Sequence, residues 1–385
     1  MIKRTFVVFL STLLLVLGLV GCSSENSGQK LALSSTVTAA TDAQDSTEDS
    51  VQQVDTLTSA QAAATTESSE TTAQTNAAVD GMSGAAARNP EAQARPQKLK
   101  EYGSLWQSDL FADSRFQLNI KLTPSEKKEA KILARSFESH MERAKPFMHY
   151  LLTELKARNL PVELAAIPLV ESGFDLRARS HAGAHGPWQF TRQTGKSFGL
   201  EVSSNYDEFY DFVASTQASL DYLTHLHKEL KRWDFALIAY NQGEFGVKRV
   251  IRRAKAAGIT DLSVDKLSFS RMGRLYLKRV RAYADIMHHP EKYGVEHPEI
   301  EDREVFKQVQ VAGRVNSMKK VAELSGADLQ LLKTLNAGYL SDRLVSKKQR
   351  SILVPVENVA ALEKALGIRA EVPFSGEGVA ALATR

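Results

Sequence analysis

Between Leu160 and Phe190 the chain reads LPVELAAIPLVESGFDLRARSHAGAHGPWQF, and this stretch constrains the fold more than any other. Leu164 to Val170 is an almost uninterrupted apolar run, and it ends on an acid, Glu171. A carboxylate beside such a run is expected to sit half out of water. Partial desolvation disfavours the charged form, so its pKa should rise. A carboxylic acid still protonated near neutral pH is what a general acid for glycosidic cleavage requires. The bland alternative is a solvated helix residue, the commonest place for a glutamate.

The residues after Glu171 favour the first reading. Gly173, Gly183 and Gly186 punctuate a short polar loop, where glycine permits positive φ and close approach of a ligand to the backbone. Pro187 then leads into Trp188, Gln189 and Phe190. ES at 171–172, GAHGPWQF at 183–190 and AYNQG at 239–243 stand in order along the chain. Together they resemble the three signature motifs of the family 1 lytic transglycosylases, of the soluble-lytic-transglycosylase (SLT), lysozyme-like kind. The flanking text LPVELAAIPLVESGFD is similar to the membrane-bound lytic murein transglycosylase D type. The resemblance covers roughly residues 100 to 290.

The front of the 385-residue chain has a different character. Residues 1–21 carry Lys3 and Arg4, then an apolar core, then small residues before Cys22, the pattern of a signal peptide. Leu19-Val20-Gly21-Cys22 resembles a lipobox, in which Cys22 becomes a lipid-bearing N-terminus. The alternatives are an ordinary signal peptide, or a spanning helix for which the apolar run is short. Acyl chains on Cys22 would anchor the protein to a membrane rather than make it span. Cys22 is the only cysteine, so an internal disulfide is excluded. With Ser23 next to it, sorting to the periplasmic face of the outer membrane is expected in a Gram-negative host. Residues 22–98 are rich in Ser, Thr, Ala, Gln and acids, and cannot bury enough apolar surface to offset the entropy of ordering them. They read as a disordered tether that gives an anchored enzyme reach.

Charge is divided along the same line. Between residues 23 and 95 ten acids face three bases, and the signal peptide holds two more bases. Against a formal net charge of +4 for the chain, this leaves +9 on residues 96–385. A basic globular part points to an anionic surface or polymer. Cell-wall material qualifies. Nucleic acid does not fit a secreted chain without a nucleic-acid motif.

Thr123, Pro124 and Glu126 make a helix start with a capping box. Apolar or small residues at Ala130, Leu133, Phe137, Met141, Ala144, Met148, Leu151 and Leu155 mark one helical face, bent at Pro146 and ended by Asn159-Leu160-Pro161. Pro168 removes a backbone donor from the helix bearing Glu171, which either kinks or restarts there. A further helix is expected from Tyr206-Asp207, with Phe209, Phe212, Val213, Leu220, Leu223 and Leu226 inward. Trp233-Asp234 caps the segment FALIAYNQG, Gly258 ends the next helix, and a last one runs from about Arg271 to His288.

A second carboxylate is hard to find. Asp175 is the nearest, but it leads into a basic loop with Arg177 and Arg179, which favours a surface salt bridge. A single acid points to a mechanism in which the substrate supplies the second group. The family resemblance implies that mechanism: Glu171 acts as acid and then as base on the glycan strands of peptidoglycan, leaving 1,6-anhydromuramic acid ends. It also implies substrate contacts at Ser180, Gln189, Tyr240, Asn241 and Tyr276. Tyr240 would orient Glu171 or the substrate's N-acetyl group, and Trp188 would form an aromatic wall. Read alone, Tyr276 is equally a core tyrosine. His181 and His185, His225 and His227, and His288 and His289 lack the pattern of a metal site, and no cofactor is required.

From about Glu304 the pattern changes. Val305, Lys307, Val309 and Val311 alternate with Phe306, Gln308 and Gln310 as in a strand. Asn316-Ser317 caps a helix ended by Gly326, a second helix spans Leu329 to Leu335, and Ser351 to Val354 reads as a strand. This βααβ order resembles a LysM peptidoglycan-binding domain, with Ala337 where a proline is usual. A packing module without glycan binding is the alternative. The expected organisation is mainly α. It comprises a signal peptide (1–21), a disordered tether (22–98), a lysozyme-like SLT domain (99–295), a small βααβ LysM-like domain (303–356) and a disordered tail (373–385).

Overall fold

The computed structural model describes residues 101–311, 313–344 and 351–368. The signal peptide, Cys22, the tether and the tail lie outside the described residues. Among the described residues no helix is long and apolar enough to cross a membrane.

Helix α1 (Pro124–Ala144) opens on the capping box read from the sequence. Glu126 N donates to Thr123 Oγ1 at 3.3 Å, and Thr123 N donates to Glu126 Oε2 at 2.7 Å. The long helix expected to run on past Pro146 is two helices instead. α1 stops at Ala144, a turn closes with Phe147 N on Ala144 O at 2.8 Å, and α2 (Met148–Ala157) starts afresh. Pro146 has no amide to continue the ladder, so the chain breaks where a bend was expected.

A 3-10 turn (Val162–Ala165) then leads into α3 (Ala166–Ser172). Its Ala165 cap places Pro168 within the first turn, where amides lack intrahelical acceptors in any case. Pro168 therefore marks a restart and not a kink. α3 ends at Gly173, φ +57°, and Phe174 comes next at φ +63°. A phenylalanine in the left-handed region is uncommon and carries strain. It is held there by burial of its ring and by its amide on Pro168 O at 3.0 Å.

A two-residue hairpin, β1 (Ala184–His185) with β2 (Phe190–Thr191), flanks the Gly-Pro-Trp-Gln turn and is followed by α4 (Arg192–Ser197). The next helix, α5 (Phe212–Leu230), does not begin at Tyr206-Asp207. Asp211 is its cap, with Oδ1 accepting from Ala214 N at 3.1 Å, while residues 201–211 stay irregular. Phe209 is nonetheless fully buried, and Val213 is only partly so.

Helices α6 (Trp233–Gln242), α7 (Glu244–Ala256) and α8 (Arg271–His288) complete the first part. α8 packs against α1, α3 and α6, and α5 packs against α6. Tyr276, Val280, Tyr283 and Met287 line the buried side of α8.

The C-terminal part pairs β3 (Phe306–Val309) antiparallel with β4 (Ile352–Pro355). Between them lie α9 (Met318–Ser325), capped by Ser317 and ended by Gly326 at φ +71°, and α10 (Leu329–Leu335). Asn336 is the keystone. Its Nδ2 donates to Leu332 O and Leu353 O at 2.9 and 2.7 Å, and its Oδ1 accepts from Leu353 N at 2.8 Å. One side chain thus closes a helix and pairs a strand. A helix absent from the expected βααβ order, α11 (Val356–Leu366), packs on α9 and on both strands. Its Val359 and Leu362 are buried, so the packed unit runs on past residue 356.

Candidate active site

Glu171 sits in the last turn of α3, between the apolar run and the Gly173 cap. It is half-buried, so it can be reached, yet the protein around it withdraws enough water to raise its pKa from 4.5 to about 7. Burial is the dominant cause. Interaction with the Tyr276 hydroxyl opposes it, and no neighbouring charge contributes. Tyr276, 6 % exposed on α8, faces the Glu171 carboxyl without a hydrogen bond of regular geometry, and its hydroxyl is otherwise unpartnered. Burial and the adjacent carboxylate push the Tyr276 phenol well above 10, so it stays a neutral donor.

The loop 186–189 is fastened from three sides. Ser172 Oγ donates to Pro187 O at 3.0 Å, Tyr240 Oη donates to Trp188 O at 2.9 Å, and Trp188 Nε1 donates to Thr216 Oγ1 at 3.0 Å. Tyr240 Oη also meets Ser219 Oγ at 3.0 Å. At Gly186, φ +77°, a Cβ would come within 1.8 Å of Phe209 O, so only glycine fits. Gln189 adopts φ +49°, and its Nε2 donates to Gly186 O at 2.7 Å.

One expectation is corrected here. Trp188 is 0 % exposed and belongs to the core, so it is no aromatic wall for a ligand. Tyr240 is fixed on Trp188 O and Ser219, and the tyrosine that faces Glu171 is Tyr276. The two rings lie near-parallel, 6.4 Å apart. Ser180 accepts from Ala184 N at 2.9 Å and closes the turn that carries Gly183, while Asn241 is exposed at the end of α6. Asp175 is exposed and caps its own loop, accepting from Arg177 N at 2.9 Å, rather than forming a salt bridge. The structure therefore brings Glu171, Tyr276, Tyr240 and the Gln189 turn together around the end of α3. Ser180 is engaged in its own loop.

Sequence reasoning does not single out Ser172, Thr216 or Ser219. Ser172 stands in the ES pair, which is a signal. Thr216 and Ser219 lie in an ordinary amphipathic helix and give none. Three of the histidines have partners of their own: His185 Nδ1 meets Tyr210 Oη at 3.1 Å, His225 pairs with Glu244, and His227 stacks on Trp233. Among the described residues there is no cluster of three or more His, Cys, Asp or Glu side chains of the kind that holds a metal ion.

Known proteins resemble this chain over part of its length. Two curated relatives named membrane-bound lytic murein transglycosylase D, from Escherichia coli (strain K12) and a second Escherichia coli strain, are 35 % identical over 226 residues. The match takes in 58 % of this chain and 49 % of theirs. A putative tributyltin chloride resistance protein of Alteromonas sp. is 43 % identical over 114 residues, 29 % of this chain and 55 % of that one. The chain thus spans about half the length of the curated relatives it matches. Among solved structures, an inactive mutant of the lytic transglycosylase Slt from Pseudomonas aeruginosa aligns over 38 % of this chain and 24 % of that one. The identity is 23 % and the TM-score 0.29. Family models match at two places: that of the transglycosylase SLT domain over residues 152–263, and that of the LysM-like domain of the lytic transglycosylase MltD over residues 305–368.

Proposed function

We propose that this chain is a peptidoglycan lytic transglycosylase. It cleaves the β-1,4 bond between N-acetylmuramic acid and N-acetylglucosamine without water. The observation that carries the reading is the lone half-buried Glu171, with its pKa near 7 and no charged partner. A pKa close to ambient pH suits a group that must both give and take a proton.

The protonated Glu171 carboxyl donates to the glycosidic oxygen as the C1–O bond breaks. The substrate's own N-acetyl oxygen stabilises the cationic C1. Glu171, now a carboxylate, receives a hydrogen bond from Tyr276, which favours the charged form. It then takes the proton of the C6 hydroxyl as that oxygen bonds to C1. The acid is restored and a 1,6-anhydro ring is formed. Gln189 and Asn241 supply polar contacts to the sugar. No second carboxylate is needed, in keeping with an Asp175 that caps its own loop.

The C-terminal LysM-like module binds the same glycan strands, and lipid on Cys22 holds the enzyme in the cell envelope, at the periplasmic face of the outer membrane in a Gram-negative host. The basic charge of residues 96–385 favours an anionic polymer as partner. Mass spectrometry of fragments released from purified sacculi tests the reaction. Anhydromuramic ends are expected. Reducing ends would mean a hydrolysing muramidase, and no release would mean a wall-binding protein without catalysis.

A further inference from the structure

The C-terminal module does not hang beside the first part; it grips the irregular segment behind the 186–189 loop. Tyr206 is 4 % exposed, and its ring lies in the module's own apolar core with Val309, Val354 and Tyr339. It meets Tyr339 edge-on at 4.6 Å. Asp207 N donates to Gly338 O at 2.8 Å, Leu340 N donates to Asn205 O at 3.0 Å, and Arg177 Nη2 donates to Tyr339 O at 2.6 Å. Gly338 lies flat on the Tyr206 ring, where a Cβ would come within 2.6 Å of Cζ.

Two chains of contact run inward from this seam. Through the first, the Asp207 carboxylate accepts from Arg192 Nη1 at 2.8 Å and from Phe209 N at 3.0 Å. Phe209 O then abuts Gly186, whose own carbonyl holds Gln189. Through the second, the Tyr206 hydroxyl bonds Asp211, the cap of α5. That helix carries Thr216 and Ser219, the partners of Trp188 and Tyr240. Both chains end on the loop that Ser172, the residue after Glu171, fastens at Pro187 O. Residues 201–211 form no helix or strand and close on themselves through the single bridge Val202–Asp207, so their placement leans on what they pack against.

We propose that the C-terminal module is a positioning element of the active site, acting through Tyr206 and Gly338 on the 186–189 loop. This rests on the transglycosylase reading and adds to it. A module that only tethers polymer changes apparent affinity. A module that positions the loop changes turnover, even on a glycan too short to reach it.

Gly338→Ala in the full chain tests this from the module side: it changes no residue of the first part and presses on it only through the Tyr206 ring. On a short soluble glycan, kcat should fall about 10- to 100-fold with KM nearly unchanged, the effect of a misplacement of roughly 1 Å. Tyr206→Phe keeps the ring and the first chain but removes the bond to Asp211, so its kcat should fall in the same sense by less than that of Gly338→Ala. Wild-type kcat in Gly338→Ala would overturn the proposal and leave the module a binding appendage. Should Gly338→Ala fail to fold, Arg177→Gln removes only the bond to Tyr339 O and must lower kcat in the same sense. If the wild-type chain itself does not cleave, the transglycosylase reading fails, and hydrogen exchange at the Gln189 amide decides the seam separately. Faster exchange in Gly338→Ala upholds the coupling, and unchanged exchange ends it.

Discussion

Two acids stand at opposite ends of one helical segment, and they have opposite fates. Glu163, in the 3-10 turn that opens it, is 3 % exposed and pinned: Leu118 N and His288 Nε2 both reach its Oε1, at 3.0 and 3.1 Å. Glu171, in the last turn, is more accessible, yet among the described residues it has no cation and no backbone amide, only the facing Tyr276. Both acids lie beside the same apolar run. What separates them is the supply of partners. Hydrogen bonds to a charged group are worth about 1.5–3 kcal/mol each. An acid given them becomes structural, and an acid denied them keeps its proton to neutral pH. On the proposed reading, the reactive group is made by withholding contacts rather than by adding them.

The largest expected effect breaks the pair outright. Glu171→Gln keeps shape and polarity but cannot transfer a proton, so cleavage of sacculi should fall by about 10²–10⁴-fold while sedimentation with sacculi persists. Retained turnover would remove Glu171 from the reaction.

Next comes pH. The folded pKa of Glu171, about 7, lies above the ordinary 4.5. The neutral form is the one folding favours, so no penalty exists below pH 4.5. The penalty builds as pH rises and is complete above pH 7, where it amounts to roughly 3 kcal/mol. His140 and His297, both held down at about 4 by burial, act at the acid end and are shared by any variant. The stability difference between wild type and Glu171→Gln, followed by urea unfolding, should therefore grow between pH 5 and pH 8 in favour of the variant. A flat difference would mean that Glu171 is solvated. Glu163→Ala should show the contrary pattern: a loss of about 1–3 kcal/mol in the same assay, with the pH–activity profile left in place.

Much of this contrast is legible in the sequence. The apolar run, the capping box at Thr123, the Gly173 terminator and the helix Arg271–His288 are written in local pattern, where propensity and packing agree. Pro168 is ambiguous because a missing amide costs little in a first turn and much in an interior, and sequence does not number the turn. Trp188 misleads because an aromatic in a Gly-rich loop reads the same whether it points outward or, as here, inward to Thr216. The start of α5 reads too early because Tyr206 and Phe209 are apolar for reasons unrelated to that helix: one fills the C-terminal module and the other backs Gly186. α11 is within reach of the pattern. Val356, Val359, Leu362 and Leu366 recur at helical steps after Pro355. No local pattern holds the seam, since Tyr206 and Gly338 meet only through the fold.

The smallest effect is the sharpest probe of the pair, because it concerns the one partner Glu171 has. The Tyr276 hydroxyl favours the carboxylate form and so holds the pKa below what burial alone would set. Tyr276→Phe removes that donor while the ring still fills its place on α8. The Glu171 pKa must then rise above about 7, and the alkaline limb of the kcat profile must move to higher pH. Turnover at the optimum should drop only a few-fold, about 1 kcal/mol, because the carboxylate formed in the first step loses one stabilising contact. Tyr240→Phe is the matched control. It frees Trp188 O and Ser219 but takes nothing from the Glu171 carboxyl, so the limb should stay where it is. If the limb follows Tyr240 instead, the tyrosine that tunes the acid is the one fastened to the loop, and the assignment of the two rings is reversed.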